Sequence, residues 1–164
     1  MFVVVCLLGI ALVFLYLVIS PRPLILLLRK KLSGEADLKY PPDYEEDGSV
    51  LVRTDLVYRS ESGRNRYDLY LPQKGKKKAP VIIWIHGGGF IAGGKGGVKN
   101  WGMMLAREGY AVVAPDYEYA PEAVYPNQPR QMQELIGELE RQEKEGMPID
   151  MHCVRLVGDA AGAH

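Results

Sequence analysis

The sequence feature that most constrains the fold is a five-residue apolar run closing on three glycines: Val81-Ile82-Ile83-Trp84-Ile85, then His86-Gly87-Gly88-Gly89-Phe90. A short β-branched run of this kind predicts a buried strand. The glycines remove every Cβ beyond the strand end, so the peptide N–H groups there can approach a ligand oxygen closely. Such donors suit an anion or a developing oxyanion. A second short strand, Val154-Arg155-Leu156-Val157, runs into Gly158-Asp159-Ala160-Ala161-Gly162. This is the spacing of a strand-to-helix elbow with small residues at its tight points. The central position of such an elbow presents a nucleophile. Here it is Ala160, which has no hydroxyl.

These motifs, in this order, resemble the α/β-hydrolase family, and within it the HGGG-bearing carboxylesterase and lipase branch related to hormone-sensitive lipases. The elbow of that branch commonly reads Gly-Asp-Ser-Ala-Gly, so Gly158, Asp159, Ala161 and Gly162 match and Ala160 replaces the serine. Asp116-Tyr117-Glu118-Tyr119-Ala120-Pro121-Glu122 is similar to the branch's Tyr-Arg-Leu-Ala-Pro-Glu segment, with departures at Glu118 and Tyr119. The resemblance covers roughly residues 50 to 164. It implies oxyanion donors on the N–H groups of Gly88, Gly89 and Ala161, with His86 and Gly87 bracing the loop. It also implies that Asp159 points away from the pocket, and that the ligand is a small ester or acyl compound. No cofactor and no metal site is implied.

Alternating strand and helix signals predict an α/β fold with a mostly parallel sheet and a ligand site at the strands' carboxyl ends. Strands are expected at Val50–Tyr58, Arg66–Leu71, Val81–Ile85, Ala111–Ala114 and Val154–Val157. Helices are expected at Trp101–Glu108 and Arg130–Glu145, the second carrying the apolar stripe Met132, Leu135, Ile136 and Leu139. Gly94-Lys95-Gly96 lacks the spacing of a phosphate-binding loop. Because the elbow falls at the end of these 164 residues, residues 49–164 read as the N-terminal half of a hydrolase domain. The chain is expected to be a partial product without the acid and base of a triad. A complete small domain is the alternative.

Phe2 to Ile19 contains no charged residue. Eighteen helical residues rise about 27 Å, close to the thickness of a bilayer's hydrocarbon core. Residues 1–31 therefore read as a membrane anchor with a basic flank, contacting lipid through residues 2–31. A cleaved signal peptide is the competing reading. Arg22, Arg29, Lys30 and Lys31 follow the run, which places the remainder in the cytoplasm under the positive-inside rule, with export as the alternative. Leu24–Leu28, set off by two prolines, is expected to lie in the membrane interface, or else against the domain. Residues 32–48 read as a polar linker, and Lys74–Lys78 as a solvated hairpin tip. Lys plus Arg equals Asp plus Glu at 20 each, which gives no field favouring nucleic acid. Cys6 and Cys153 read as small hydrophobes rather than a disulfide or metal pair.

Two functional readings remain open from sequence: an ester hydrolase scaffold that is inactive as it stands, or a non-catalytic binding protein or truncated product built on the same fold.

Overall fold

In the computed structural model, residues 2–32, 48–73 and 78–164 are described. The proposed linker at 33–47 and most of the lysine-rich loop, 74–77, lie outside the described residues. Five strands form one sheet: β1 (Val50–Val57), β2 (Arg66–Pro72), β3 (Ala79–Ile85), β4 (Ala111–Pro115) and β5 (Ile149–Gly158), in the order β1-β2-β4-β3-β5. The helices are α1 (Phe2–Ile19), α2 (Arg22–Leu32), α3 (Lys99–Arg107) and α4 (Asn127–Lys144), with short 3-10 turns at Lys95–Val98 and Ala160–Ala163.

The sheet is mixed rather than mostly parallel, with two parallel and two antiparallel pairings. β2 pairs antiparallel with both β1 and β4, while β3 pairs parallel with β4 and β5. Four strands therefore run one way and β2 alone is reversed. The two parallel pairings around β3 carry their carboxyl ends to one edge, where the glycine turn and the elbow emerge side by side. Side chains alternate between the two faces, as strand geometry requires. Leu69, Leu71, Val81, Ile83 and Val113 pack with Leu135 and Leu139 of α4. Tyr70, Ile82, Val112 and Ala114 pack with Met103 and Ala106 of α3 on the other face. The expected stripe on α4 is thus core, with Met132 and Ile136 packed against it.

Several boundaries differ from the sequence reading. β5 begins at Ile149, five residues earlier than expected, and takes in His152 and Cys153. α4 begins at Asn127, so Pro129 sits inside its first turn, where a missing N–H costs nothing. Gln131 is a buried polar residue of α4: it donates from Nε2 to the Tyr58 hydroxyl at 3.1 Å and accepts from Glu118 N–H at 2.8 Å.

At the N-terminus α1 forms over the expected residues, but among the described residues no single helix is long and apolar enough to cross a membrane. α1 and α2 together meet that test only as a pair bent by 65° at Ser20-Pro21. Pro21 accounts for the break, because proline cannot continue the helical hydrogen-bond ladder.

The helix α4 supplies one stability prediction. A Cβ at Gly137 would meet nothing within 4 Å. Gly137→Ala is expected to raise stability by about 1 kcal/mol, because alanine loses less backbone entropy in a helix. Thermal unfolding followed by circular dichroism measures this.

Candidate active site

The glycine turn is shaped by contacts too close for side chains. A Cβ on Gly88, at φ 122°, would lie 2.0 Å from the Ala92 carbonyl oxygen, and one on Gly93 would lie 2.2 Å from the Gly87 carbonyl. The Gly88 carbonyl is held by N–H groups of Ile91 at 3.1 Å and Ala92 at 3.0 Å, which folds the loop back on itself. Phe90, at φ 60°, closes the turn, and its carbonyl accepts from Ala120 N–H at 2.8 Å.

The elbow is built the same way. A Cβ on Gly158 would stand 2.2 Å from the Gly162 carbonyl oxygen, and one on Gly162 would stand 2.1 Å from that of Ile85 at the end of β3. Ala160 has φ 45°. A residue with a Cβ in that left-handed region costs roughly 1–2 kcal/mol. The elbow geometry is therefore retained although alanine has nothing to present there, and its methyl group is exposed.

The two motifs meet. A Cβ added to Gly87 would be 3.2 Å from the Ala160 Cβ and 2.4 Å from Asp159 Oδ2. Asp159 ties them together: its Oδ2 accepts from Gly87 N–H at 2.9 Å and its Oδ1 from the Trp84 indole N–H at 3.3 Å. The Asp159 carboxylate thus reaches across to the start of the glycine loop and the end of β3, and the residue borders the same cavity. That cavity, about 430 Å³, is walled by His86, Gly87, Gly88, Asp159 and Ala160 on one side and by Lys31 and Leu32 on another. Among the described residues, the N–H groups of Gly88, Gly89 and Ala161 donate to no protein oxygen.

His86 lies beneath the loop. Its ring is buried, stacks on Tyr117 at 4.4 Å, and its Nδ1 is 2.7 Å from the Gly87 carbonyl, so the tautomer that donates from Nδ1 fits. The Tyr117 hydroxyl donates to the His86 carbonyl at 2.8 Å. Burial pushes the His86 pKa below 6.5, and the Gly87 carbonyl and Asp116 offset this only partly. Because the folded ring takes up a proton less readily than the unfolded one, stability is complete above 6.5 and falls as pH drops through that value. Melting temperature measured between pH 8 and pH 5 is expected to decline below about 6.5, and His86→Gln is expected to flatten that decline.

Charged residues missed in the sequence hold the flanking segments. Lys95 places Nζ 2.7 Å from Asp68 Oδ1 and 3.1 Å from Asp55 Oδ1, while its own N–H reaches Asp116 at 3.1 Å. Burial opposes the charge on Lys95, but the two carboxylates outweigh it and raise its pKa. Arg64 packs against the Tyr117–Tyr119 segment. It donates from Nε to the Tyr117 carbonyl at 3.1 Å, its backbone N–H meets Glu118 at 3.0 Å, and its guanidinium lies 4.1 Å from the Tyr119 ring centre. Among the described residues no group of three or more His, Cys, Asp or Glu side chains is placed to hold a metal ion.

Comparison with known proteins follows the same division. The BD-FAE family model matches residues 67–164. Isoprenylcysteine alpha-carbonyl methylesterase ICME of Arabidopsis thaliana is 31% identical over 126 residues, which is 71% of this chain and 27% of that protein. An esterase of Gibberella moniliformis is 32% identical over 92 residues, 54% of this chain and 28% of the other. Among solved structures, esterase B from Lactobacillus rhamnosis superposes with a TM-score of 0.64 at 27% identity, covering 73% of this chain and 38% of its own. Bacterial heroin esterase gives 0.61 at 29% identity, covering 74% and 38%. The chain thus spans 27% of the length of the first of these relatives.

Proposed function

This chain belongs to the BD-FAE family, within the HGGG-type α/β-hydrolase carboxylesterases, and from that premise we propose that its site holds an ester by the carbonyl oxygen without forming an acyl-enzyme. One observation carries the reading. The elbow keeps its left-handed residue and its contact with Gly87, three backbone donors there have no protein acceptor among the described residues, and the residue they surround is an alanine.

In acyl transfer on this scaffold a hydroxyl attacks the ester carbon while backbone N–H groups take the developing oxyanion. Gly88 and Gly89 supply donors from the loop and Ala161 from the elbow. Ala160 supplies no attacking oxygen, so binding is not followed by covalent chemistry at that position. Asp159 is already engaged by Gly87 and Trp84, which argues against it as a displaced nucleophile. Names of the relatives, methylesterase and esterase, support a carboxylic ester as the ligand class.

Residues 2–31 are proposed to associate with lipid, α1 entering the bilayer and α2 turning along its surface, with the sheet on the cytoplasmic side. Their composition supports this: α1 is uncharged, and Arg22, Lys30 and Lys31 follow the bend. Full-length chain is expected to stay with membranes through an alkaline carbonate wash, and extraction by carbonate would remove α1 from the bilayer.

Both tryptophans report on the site, since Trp84 bonds Asp159 and its ring lies 5.3 Å from that of Trp101, tilted by 34°. Titration with methyl butanoate is expected to give a saturable fluorescence change with no release of methanol. Methanol release in step with binding would overturn the non-covalent reading.

A further inference from the structure

The helix that follows the bend is fastened to the site through Arg29. Arg29 donates from Nε to the Ile91 carbonyl at 2.9 Å, from Nη1 to Glu122 Oε1 at 2.9 Å, and from Nη2 to Glu122 Oε2 at 2.6 Å and to the Ala120 carbonyl. Ile91 is two residues past the glycine turn, and Ala120 N–H holds the Phe90 carbonyl, so this clamp grips both segments that shape the loop. The Arg29 guanidinium also keeps the Glu122 carboxyl below its ordinary pKa, which keeps the pair charged near neutrality.

The clamp fixes where the rest of α2 lies. Leu32, one turn beyond Arg29, forms part of the cavity wall beside Lys31. Residues spaced by four share one helix face, so Leu24, Leu28 and Leu32 form a single ridge. All three are exposed. At 1.5 Å per residue the ridge runs about 12 Å, from near the Ser20-Pro21 bend to the mouth of the cavity. An apolar ridge whose last residue, Leu32, borders a cavity with convergent N–H donors offers one wall along which an alkyl chain can lie toward a polar head site. Continuity with the cavity separates this ridge from the uniformly apolar surface of α1.

We propose that Leu24, Leu28 and Leu32 form a subsite for the alkyl chain of a lipid-borne ester, whose carbonyl lies at Gly88, Gly89 and Ala161. Arg29 is the positioning residue that registers this ridge against the glycine loop. The inference rests on the ester-binding reading above and adds to it the class of ligand and the direction from which it enters.

The test uses the full chain in phosphatidylcholine nanodiscs and a methyl ester of a long-chain fatty acid carrying a diazirine near its far end. After illumination, the peptide containing residues 24–32 is expected to carry the label. That labelling is expected to fall about tenfold when methyl butanoate is present at about ten times its own dissociation constant, because one ester displaces the other by mass action. Arg29→Ala is expected to lose the displaceable labelling, while Arg29→Lys is expected to recover part of it. Labelling of residues 24–32 that methyl butanoate leaves unchanged would mean simple contact with the bilayer and would overturn the subsite. Saturable binding of methyl butanoate by tryptophan fluorescence with no label on α2 would also overturn it and leave the ester site standing. Absence of both signals would overturn the ester site itself.

Discussion

Gly162→Ala is expected to be among the most damaging single substitutions in the chain. Its new Cβ would lie 2.1 Å from the Ile85 carbonyl oxygen, 2.7 Å from the Ile85 carbonyl carbon and 2.8 Å from the His86 carbonyl oxygen. All three are backbone atoms at the carboxyl end of strand β3, so no side-chain rotation can relieve the clash. The elbow must move off β3, and Asp159 moves with it. That withdraws the carboxylate from Gly87 and Trp84, leaving their donors unpaired in a half-buried position. Forced overpacking of this kind costs about 3 kcal/mol. For a domain of this size such a loss lowers the melting temperature by on the order of 10 °C. Thermal unfolding would measure it, and the Trp84 emission of the folded variant is expected to shift because its indole loses its acceptor. A melting temperature unchanged from the parent chain would mean that the elbow does not pack on β3 as described.

Gly88→Ala is expected to leave the sheet folded and to remove ester binding. The conformation at φ 122° suits glycine alone, and the added Cβ would collide with the Ala92 carbonyl at 2.0 Å. Relief requires turning the peptide, which breaks the two bonds from Ile91 and Ala92 to the Gly88 carbonyl. The N–H groups of Gly88 and Gly89 would then point elsewhere. Two hydrogen bonds to a ligand, each with a net value of about 1 kcal/mol, correspond to roughly thirtyfold in affinity. Tryptophan fluorescence with methyl butanoate measures the loss, and circular dichroism checks that the strands persist. The contrast with Gly162 is informative because Gly88 lies in a loop beyond the sheet, whereas Gly162 packs on β3 itself. Equal losses of stability in the two variants would contradict that distinction.

Gly88, Gly93, Gly158 and Gly162 were legible in the sequence because a Cβ at any of them would lie within 2.0–2.2 Å of another backbone atom, a constraint that glycine alone meets. Spacing alone therefore located the loop and the elbow. The apolar stripe on α4 was readable for a similar reason, since helical period decides which side chains face the sheet. The reversed direction of β2 was not readable, because alternation along a strand is the same in either direction. The start of β5 was hidden by Asp150 and His152, polar residues that interrupt the apolar run without ending the ladder. Residues whose meaning depends on distant partners were missed. Arg29 reads as one of several basic residues after an apolar segment, yet its partner Glu122 is 93 positions away. Lys95 reads as a failed phosphate loop, and its carboxylate partner Asp68 lies 27 positions earlier on β2. Asp159 reads as an ordinary elbow residue, while the N–H it accepts from belongs to Gly87, 72 positions before it.

The central claim is that three backbone N–H groups around an alanine hold an ester oxygen. It is tested most directly by nuclear magnetic resonance on the ¹⁵N-labelled chain in micelles, with methyl butanoate added in steps. The expected result is that the amides of Gly88, Gly89 and Ala161 shift together along one saturable curve, while core amides such as Val112 and Val113 stay in place. Saturation with those three amides unmoved, or movement of only one of them, would contradict a shared cradle.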